Sequence, residues 1–278
     1  MRKLFGRSGY AKAISKHMLK WLKTDGDERY FDFNGAKLPD ISHNMHDIII
    51  LNAIFEDTFL VSCCLNDNYD KSIVEKLDEY MSEGPYGYID GEFDVTVKKG
   101  DVVIDAGAWI GDFSAYAVSK GAVAYAFEPT SSTFELLQKT AKLNNNVIYP
   151  VQKGLSSSEC EKPIHINEIN SGSNTILSQV CGDYVGSNTE MIQLITLDKF
   201  VKENKLTKID FIKADIEGAE RYMLQGAKWA LKNFAPKLAI CTYHLPDDPQ
   251  VLEKLILEAN PNYTVKHLRH KLFAMVIK

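Results

Sequence analysis

Short runs of β-branched and other apolar residues alternate with helix-like patterns from Asp101 to the end of the chain. The runs predict strands, and apolar residues spaced three and four positions apart predict helices between most of them. The predicted strands cover residues 102–105, 122–128, 147–151, 209–214 and 238–243. The predicted helices cover residues 112–120, 131–143, 218–225 and 249–259. This alternation indicates βαβ units and an α/β fold built on a mostly parallel sheet.

The C-terminal pattern differs, because two apolar runs at residues 263–268 and 272–277 are separated by only a few polar residues. A crossover helix does not fit between them, so they are predicted to pair as an antiparallel hairpin. Earlier in the chain, a polar stretch at residues 155–196 contains strand-like runs at 163–166 and 191–195. We interpret this stretch as a β-excursion beside the functional site.

Residues 1–90 are predicted to form a mainly helical accessory region, serving as a lid or a dimerisation surface, before a second domain at 91–278. The chain through Lys23 carries basic residues and no acids, with apolar residues at helical spacing. This segment either docks one apolar face or makes weak contact with an anionic membrane surface or a polyanion. An apolar stretch at 48–65 and a helical pattern at 70–81 follow it. A homodimer is a reasonable expectation for such an apolar accessory region.

Charge and composition restrict the partners of the chain. The formal net charge of −5 argues against nucleic acid, which requires a concentrated basic surface. Five cysteines without C-x-x-C spacing argue against a disulfide framework or a zinc site. The most apolar stretch contains Asn52, Glu56 and Asp57, so it does not supply a transmembrane segment. We therefore expect a cytoplasmic protein that acts on a small molecule.

The strongest local motif is a strand that enters a glycine turn and then a helix, with Asp105, Gly107, Ala108 and Gly111 in the turn region. Glycine lets the backbone approach a ligand closely or adopt a positive φ. The spacing is D-x-G-x-x-x-G, whereas a dinucleotide site requires G-x-G-x-x-G to place a pyrophosphate at the helix N-terminus. S-adenosylmethionine has no phosphate, and its charges are an amino acid carboxylate, an ammonium and a sulfonium, so an acid followed by a glycine turn fits this cofactor better. Tight packing of the turn is the alternative interpretation.

Two further motifs follow strand ends. Glu128 and Pro129 end the second predicted strand, where an acid can accept hydrogen bonds from ribose hydroxyls or can cap the next helix. Lys213, Asp215 and Glu217 lie at or just past the end of the fourth strand, where ligands bind in open α/β sheets. Glu217 could instead favour only the positive end of the helix that follows.

Together these segments resemble the FkbM-type methyltransferase family, and the resemblance covers roughly residues 94–245. The matching positions of the opening motif are Asp105, Gly107, Ala108, Gly111 and Asp112. The matching positions of the later motifs are Glu128, Pro129, Thr196, Leu197, Asp198, Lys213, Asp215, Glu217, Gly218 and Glu220. The resemblance implies a class I, Rossmann-like fold, dependence on S-adenosylmethionine, and O-methylation of sugars or polyketide-like products. Trp109 departs from the family pattern, in which asparagine is more usual.

The resemblance also implies that Asp105, Gly107 and Glu128 bind the cofactor, with Ala108, Gly111 and Pro129 shaping its site and Asp215 beside it. From their position after the third strand, Gly154 and Leu155 are predicted to contact the adenine. The predicted cofactor site thus consists of Asp105, Gly107, Ala108, Gly111, Glu128, Pro129, Gly154, Leu155 and Asp215.

An alcohol acceptor must lose a proton, so the site needs a base. The candidate bases are His244, at the end of the fifth strand, and Asp215, at the end of the fourth. Lys213 is a third catalytic candidate. His244 could equally be structural. A divalent cation at Asp215 and Glu217 is conceivable but is not favoured, so no metal site is predicted. We expect O-methylation of a sugar or another small hydroxylated acceptor. The alternatives are an N-methyltransferase or protein-modifying enzyme, and a module that binds the cofactor without catalysis.

Overall fold

The computed structural model describes residues 18–43, 86–167, 171–177, 188–268 and 270–277. The chain divides into two compact units, Met1–Pro85 and Tyr86–Lys278. The predictions for the basic segment before residue 18 and for residues 48–65 and 70–81 lie outside the described residues. None of the helices in the described ranges is long and apolar enough to cross a membrane.

The described part of the first unit is an antiparallel three-stranded sheet. A single 3-10 turn, Leu19–Trp21, precedes strands β1 Leu22–Asp25, β2 Glu28–Phe33 and β3 Ala36–Pro39. Asn34 and Gly35 connect the last two strands with positive φ angles of 54° and 98°, as a type I′ turn requires. The mainly helical N-terminal region that we predicted is therefore not supported, because the described residues of this region form a three-stranded sheet.

The second unit contains twelve strands and six helices in its described residues. The strands are β4 Tyr88–Asp90, β5 Phe93–Val95, β6 Val102–Ala106, β7 Val123–Phe127, β8 Ile148–Val151, β9 Gly154–Leu155, β10 Cys160–His165, β11 Thr189–Ile195, β12 Phe211–Ala214, β13 Lys237–Cys241, β14 Tyr263–Leu268 and β15 Lys271–Val276. The helices are α1 Asp112–Ser119, α2 Ser131–Leu143, α3 Leu197–Glu203, α4 Glu220–Gln225, α5 Lys228–Asn233 and α6 Asp248–Ala259.

Seven strands form the main sheet, in the order β14-β15-β13-β12-β6-β7-β8. The five strands from β13 to β8 are parallel, and β15 pairs antiparallel with both β13 and β14. This arrangement confirms the predicted α/β fold with a mostly parallel sheet and a C-terminal antiparallel hairpin. It is the class I methyltransferase architecture, a Rossmann-like fold.

The main sheet is buried on both faces, which explains why its central strands are mostly apolar, with Asp105 and Lys213 as charged exceptions. Neighbouring residues of one strand belong to different hydrophobic clusters, as Val103 and Ile104 of β6 show. Phe211 and Ile212 of β12 divide between the same two clusters. Since successive side chains of a strand point to opposite faces, each cluster covers one face of the sheet.

A smaller sheet lies in the polar stretch that we interpreted as a β-excursion. Its order is β10-β11-β9, with β10 antiparallel and β9 parallel to β11. The two strand-like runs of the sequence therefore correspond to β10 and β11, each longer at its N-terminal side than predicted. This small sheet supplies one wall of the cavity described next.

Candidate active site

A cavity opens at the carboxyl ends of the parallel strands, and the space between its walls, including the part open to solvent, is about 610 Å³. Gly107, Glu128, Asp215 and Glu217 line it, and none of its described lining residues is Lys or Arg. Aliphatic side chains of the loop and strand regions around the small sheet complete the wall, namely Leu155, Ile164, Ile176, Ile192 and Leu194.

The glycine turn is held against the neighbouring strand. Gly107 has φ +73°, and a Cβ at this position would lie 1.9 Å from the carbonyl oxygen of Asp215, so only glycine fits. The amides of Gly107 and Ala108 donate to the carbonyl of Phe127 at 3.1 and 2.9 Å. Ala108 itself is fully buried and is not among the lining residues.

Gly111 lies at the end of the glycine turn, between α1 and α2, and does not line the cavity. It has φ +88° and precedes α1 at the N-cap position. A Cβ there would lie 2.7 Å from Cδ1 of Leu137. The residue therefore allows α1 and α2 to approach each other at the start of α1.

Asp105 and Lys213 form a buried ion pair under the glycine turn. Asp105 is fully buried, lies 3.2 Å from Nζ of Lys213 and accepts a hydrogen bond of 2.7 Å from Ser114 Oγ. Neither Asp105 nor Lys213 lines the cavity. Lys213 Nζ also donates to the carbonyl oxygen of Gly107 at 2.6 Å. The structure thus places both residues behind the turn, where they fix its position.

Lys213 remains protonated in this environment. Burial alone would lower the pKa of its ammonium, but the carboxylates of Asp105, Asp215 and Asp112 outweigh burial and raise it. A protonated amine has no lone pair with which to accept a proton. The catalytic role predicted for Lys213 is therefore compatible with positioning or electrostatic support, but not with general-base chemistry.

Both carboxylate oxygens of Glu128 accept hydrogen bonds from neighbouring residues. Its Oε1 accepts hydrogen bonds from the amide of Thr130, at 2.9 Å, and from the Thr130 hydroxyl, while Oε2 accepts from the amide of Trp109 at 3.1 Å. Burial raises the pKa of Glu128 despite these bonds. A carboxylate oxygen has two lone pairs, so Oε2 retains capacity for a ligand hydroxyl. Pro129 lines the cavity beside it.

Asp215 and Glu217 bring two carboxylates to the cavity wall. Tyr86 and Tyr243 donate their hydroxyls to Asp215 at 2.6 and 3.2 Å. Burial opposes ionisation of Asp215, but the charges of His244 and Lys213 and the Tyr86 hydrogen bond lower its pKa overall. Burial raises the pKa of Glu217. Glu217 also has a positive φ of 53°, a conformation that is uncommon outside glycine and points to a constrained site.

His244 lies behind this wall among three carboxylates, and its side chain is 2% exposed. Its Nε2 is 3.5 Å from both Asp215 Oδ1 and Glu217 Oε2, and its Nδ1 is 3.2 Å from Glu220 Oε1. Burial lowers the pKa of the imidazole, but Glu220, Glu217 and Asp215 together raise it to about 11. The ring therefore keeps its proton at neutral pH while no other cation lies between these carboxylates.

The sequence analysis missed three contributors to the site. Tyr86 donates a hydrogen bond to Asp215, which lies 129 positions later in the chain, and no local pattern indicates that contact. Ser171 lines the cavity and accepts a hydrogen bond of 2.8 Å from the indole of Trp109. Asn174 also lines the cavity. The polar composition of the excursion was the available signal for the last two, because polar side chains in a loop beside an active site often bind ligands.

Comparison with known proteins agrees with the fold, which is that of the class I S-adenosylmethionine-dependent methyltransferases. The family described as Methyltransferase FkbM domain matches residues 105–272, and the chain belongs to this family. The resemblance seen in the sequence and the cofactor that it implied are therefore confirmed.

Two similar proteins illustrate the family. The Hexuronic acid methyltransferase AglP of Haloferax volcanii is 30% identical over 167 residues, which cover 58% of this chain and 64% of AglP. The crystal structure of Methyltransferase FkbM from Methylobacillus flagellatus KT is similar with a TM-score of 0.51 and 20% identity, covering 88% of this chain and 62% of that one. The second likeness shows the fold alone. The chain spans less than two-thirds of the length of each.

Proposed function

We propose that this methyltransferase transfers the methyl group of S-adenosylmethionine to a hydroxyl of a sugar or another small hydroxylated acceptor. The observation that carries the proposal is the cavity, which is lined by Glu128, Asp215 and Glu217 and, among its described residues, by no Lys or Arg. Such a wall suits a cationic cofactor and a neutral, hydrogen-bonding acceptor. It does not suit a phosphorylated dinucleotide, whose phosphates need donors and positive charge.

The residues present fit S-adenosylmethionine. Oε2 of Glu128 retains a lone pair for a ribose hydroxyl, as described above. Apolar side chains of Leu155, Ile192 and Leu194 offer a dry surface for an aromatic base. The carboxylates of Asp215 and Glu217 attract positive charge. When bound, the cofactor supplies an activated methyl group on a sulfonium.

The carboxylates of Asp215 and Glu217 serve the acceptor as well. Each can accept a hydrogen bond from a hydroxyl and so hold its oxygen in a fixed direction, which is the main requirement for methyl transfer. The two tyrosine hydroxyls on Asp215 keep that carboxylate from rotating. The name of the related AglP, a hexuronic acid methyltransferase, supports a sugar as the acceptor class.

Cofactor binding is tested by calorimetric titration of the purified protein with S-adenosylmethionine and S-adenosylhomocysteine. Glu128→Gln is expected to weaken binding about tenfold or more, since a hydrogen bond to a charged group contributes about 1.5–3 kcal/mol. Glu135→Gln, an exposed acid on the neighbouring helix α2, is the matched control and leaves affinity unchanged. Binding of NAD instead of either ligand contradicts the proposal.

Acceptor class is tested by incubation with labelled cofactor and a panel of hexuronic acids, neutral hexoses, amines and peptides. We expect a methyl ether on a sugar hydroxyl, identified by mass spectrometry and NMR. Transfer to amines or peptides alone contradicts the proposed acceptor. Cofactor binding without transfer to any member of a broad panel would support a module that binds without catalysis.

A further inference from the structure

Two carboxylates of the cavity wall, Asp215 and Glu217, and the imidazole of His244 behind them bring their ligating atoms together. Nε2 of His244 lies 3.5 Å from Oδ1 of Asp215 and 3.5 Å from Oε2 of Glu217, and the ligating atoms of all three lie within 4.8 Å of one another. Two ligands on a tetrahedral ion with bonds of about 2.1 Å lie about 3.4 Å apart. The observed separations are thus those of atoms around a shared ion rather than atoms in hydrogen-bond contact.

His244 provides independent support for a missing partner at this point. Its side chain is 2% exposed, yet neither ring nitrogen makes a hydrogen bond of acceptable geometry with any described residue. A buried polar group without a hydrogen-bond partner destabilises the folded protein. Because Nε2 faces the gap between Asp215 and Glu217, a ligand placed in that gap would provide the missing partner.

Glu220 occupies the position of an orienting carboxylate. Metal-ligating histidines usually present their second ring nitrogen to a carboxylate, which fixes the tautomer and the ring plane. Oε1 of Glu220 lies 3.2 Å from Nδ1 of His244, on the side of the ring away from the gap. Glu220 is fully buried and is itself held by the amide of Ile216 at 2.8 Å. This geometry leaves Nε2 as the ligating nitrogen.

We propose that Asp215, Glu217 and His244 bind a divalent transition-metal ion. Coulomb energy scales with the product of the charges, so the surrounding carboxylates stabilise a doubly charged ion more than a singly charged imidazolium. An imidazole ligand favours Zn²⁺ or Fe²⁺ over Mg²⁺ and Ca²⁺, which prefer oxygen ligands alone, and Mn²⁺ would bind chiefly through the two carboxylates. Carboxylate and imidazole together therefore define the class of the ion.

A second group of possible ligands, Glu220, His244 and Asp248, is less suitable. Asp248 is fully buried and already lies 2.6 Å from the guanidinium of Arg221. It also accepts a hydrogen bond of 2.8 Å from the amide of Leu245. Its charge and lone pairs are thus engaged, whereas the gap beside Asp215 and Glu217 opens to the cavity.

The chemical role of the ion rests on the proposed function. A metal bound at the cavity wall would hold the acceptor hydroxyl and lower its pKa, which provides for its deprotonation at neutral pH. Metal binding itself can be measured in the absence of acceptor and turnover. The two proposals can therefore fail separately.

The test is calorimetric titration of chelator-treated, full-length protein with Mn²⁺ and with Zn²⁺, without S-adenosylmethionine. We expect one saturable site for each metal and weaker binding of Mg²⁺. Asp215→Asn, Glu217→Gln and His244→Gln are expected to weaken binding about tenfold or more. Glu253→Gln is the matched control, because Glu253 and His267 form an exposed carboxylate–histidine pair at 2.8 Å elsewhere in the chain.

Metal titration of the wild-type protein is enough to refute the metal site, even if the variants do not fold. Absence of saturable binding of both metals to protein that still binds S-adenosylmethionine refutes the metal site and leaves the proposed function standing. Equal loss of affinity in Glu253→Gln and Glu217→Gln would also refute it, because the metal would then bind at the surface. Specific metal binding with no methylation of any hydroxyl supports the site and contradicts the proposed function.

Discussion

Replacement of Gly107 by alanine tests how closely the glycine turn approaches the neighbouring strand. The new Cβ would lie 1.9 Å from the carbonyl oxygen and 2.9 Å from the carbonyl carbon of Asp215. Both are backbone atoms, so no side-chain rotation can relieve the contact. The turn must move away, and its hydrogen bonds from Lys213 Nζ and to Phe127 must lengthen or break.

The expected cost follows from these contacts. A left-handed φ costs a non-glycine residue about 1–2 kcal/mol. Loss of the neutral hydrogen bond to Phe127 adds about 1 kcal/mol, and loss of the charged one from Lys213 adds about 1.5–3 kcal/mol. We therefore expect Gly107→Ala to lower the free energy of unfolding by about 3.5–6 kcal/mol, a large part of the total of about 5–15 kcal/mol for a typical domain.

Substitutions at two other glycines separate the cost of the positive φ from the cost of the steric contact. Gly100→Ala carries the φ penalty alone, since Gly100 has φ +84° and no atom within 4 Å of its Cβ position. Gly226→Ala carries the steric penalty alone, because its Cβ would lie 2.1 Å from the carbonyl oxygen of Ser156 at a φ of −85°. Urea unfolding should place Gly107→Ala as the least stable of the three. Equal stability of Gly107→Ala and Gly100→Ala would refute the close approach.

Two further substitutions test charge and capping. Burial raises the pKa of Asp112 from 3.8 to about 7, so between these pH values the folded protein holds a proton that the unfolded chain has released. The free energy of unfolding should therefore fall as pH rises through this interval, by up to about 1.4 kcal/mol per pH unit. Asp112→Asn should remove that slope in urea unfolding between pH 5 and 8. Parallel pH profiles of the wild type and the variant would contradict the raised pKa of Asp112. Asp198 accepts hydrogen bonds of 2.9 Å from the amides of Trp229 and Ala230 at the start of α5. Asp198→Ala should cost about 1–2 kcal/mol in the same assay, and an unchanged midpoint would show that these bonds contribute nothing.

The periodic part of the chain was predictable because its local patterns agree with its tertiary structure. Strand β6 and helix α2 were placed to within one residue, since their apolar spacing matches the faces that they bury. Helix α3 was missed although its signal was present. Thr196 caps it by accepting a bond from the amide of Lys199. Residues Leu197, Phe200 and Val201 bury one face at helical spacing.

The N-terminal strands show a conflict between two local signals. Asn34 and Gly35 form the most favourable hairpin turn, and Phe31 and Phe33 alternate with polar residues before it. Our prediction of a mainly helical region relied on the basic segment further upstream and on residues 48–65 and 70–81, and it did not use this turn signal. The described residues are stabilised by side-chain pairs between neighbouring strands. A sequence pattern of helical spacing does not detect such pairs.

The arrangement of the candidate site was only partly predictable. The rule that parallel strands end at one edge anticipated that Asp215, Glu217 and His244 would lie near one another. The burial of Asp105 under Lys213 could not be anticipated. It depends on the pairing of β6 with β12, which are more than a hundred residues apart in the chain. The approach of Tyr86 to Asp215 likewise depends on tertiary packing alone.

The position of Trp109 provides the protein with an optical probe of its own. Trp109 is one of three tryptophans, is 7% exposed, and lines the cavity with its indole hydrogen-bonded to Ser171. Trp229, by contrast, is 51% exposed. A ligand that enters the cavity changes the polarity and the hydrogen bonding around the buried indole and leaves the exposed one unchanged. Intrinsic fluorescence therefore reports cavity occupancy directly, and Trp109→Phe identifies the share of the signal that comes from the cavity.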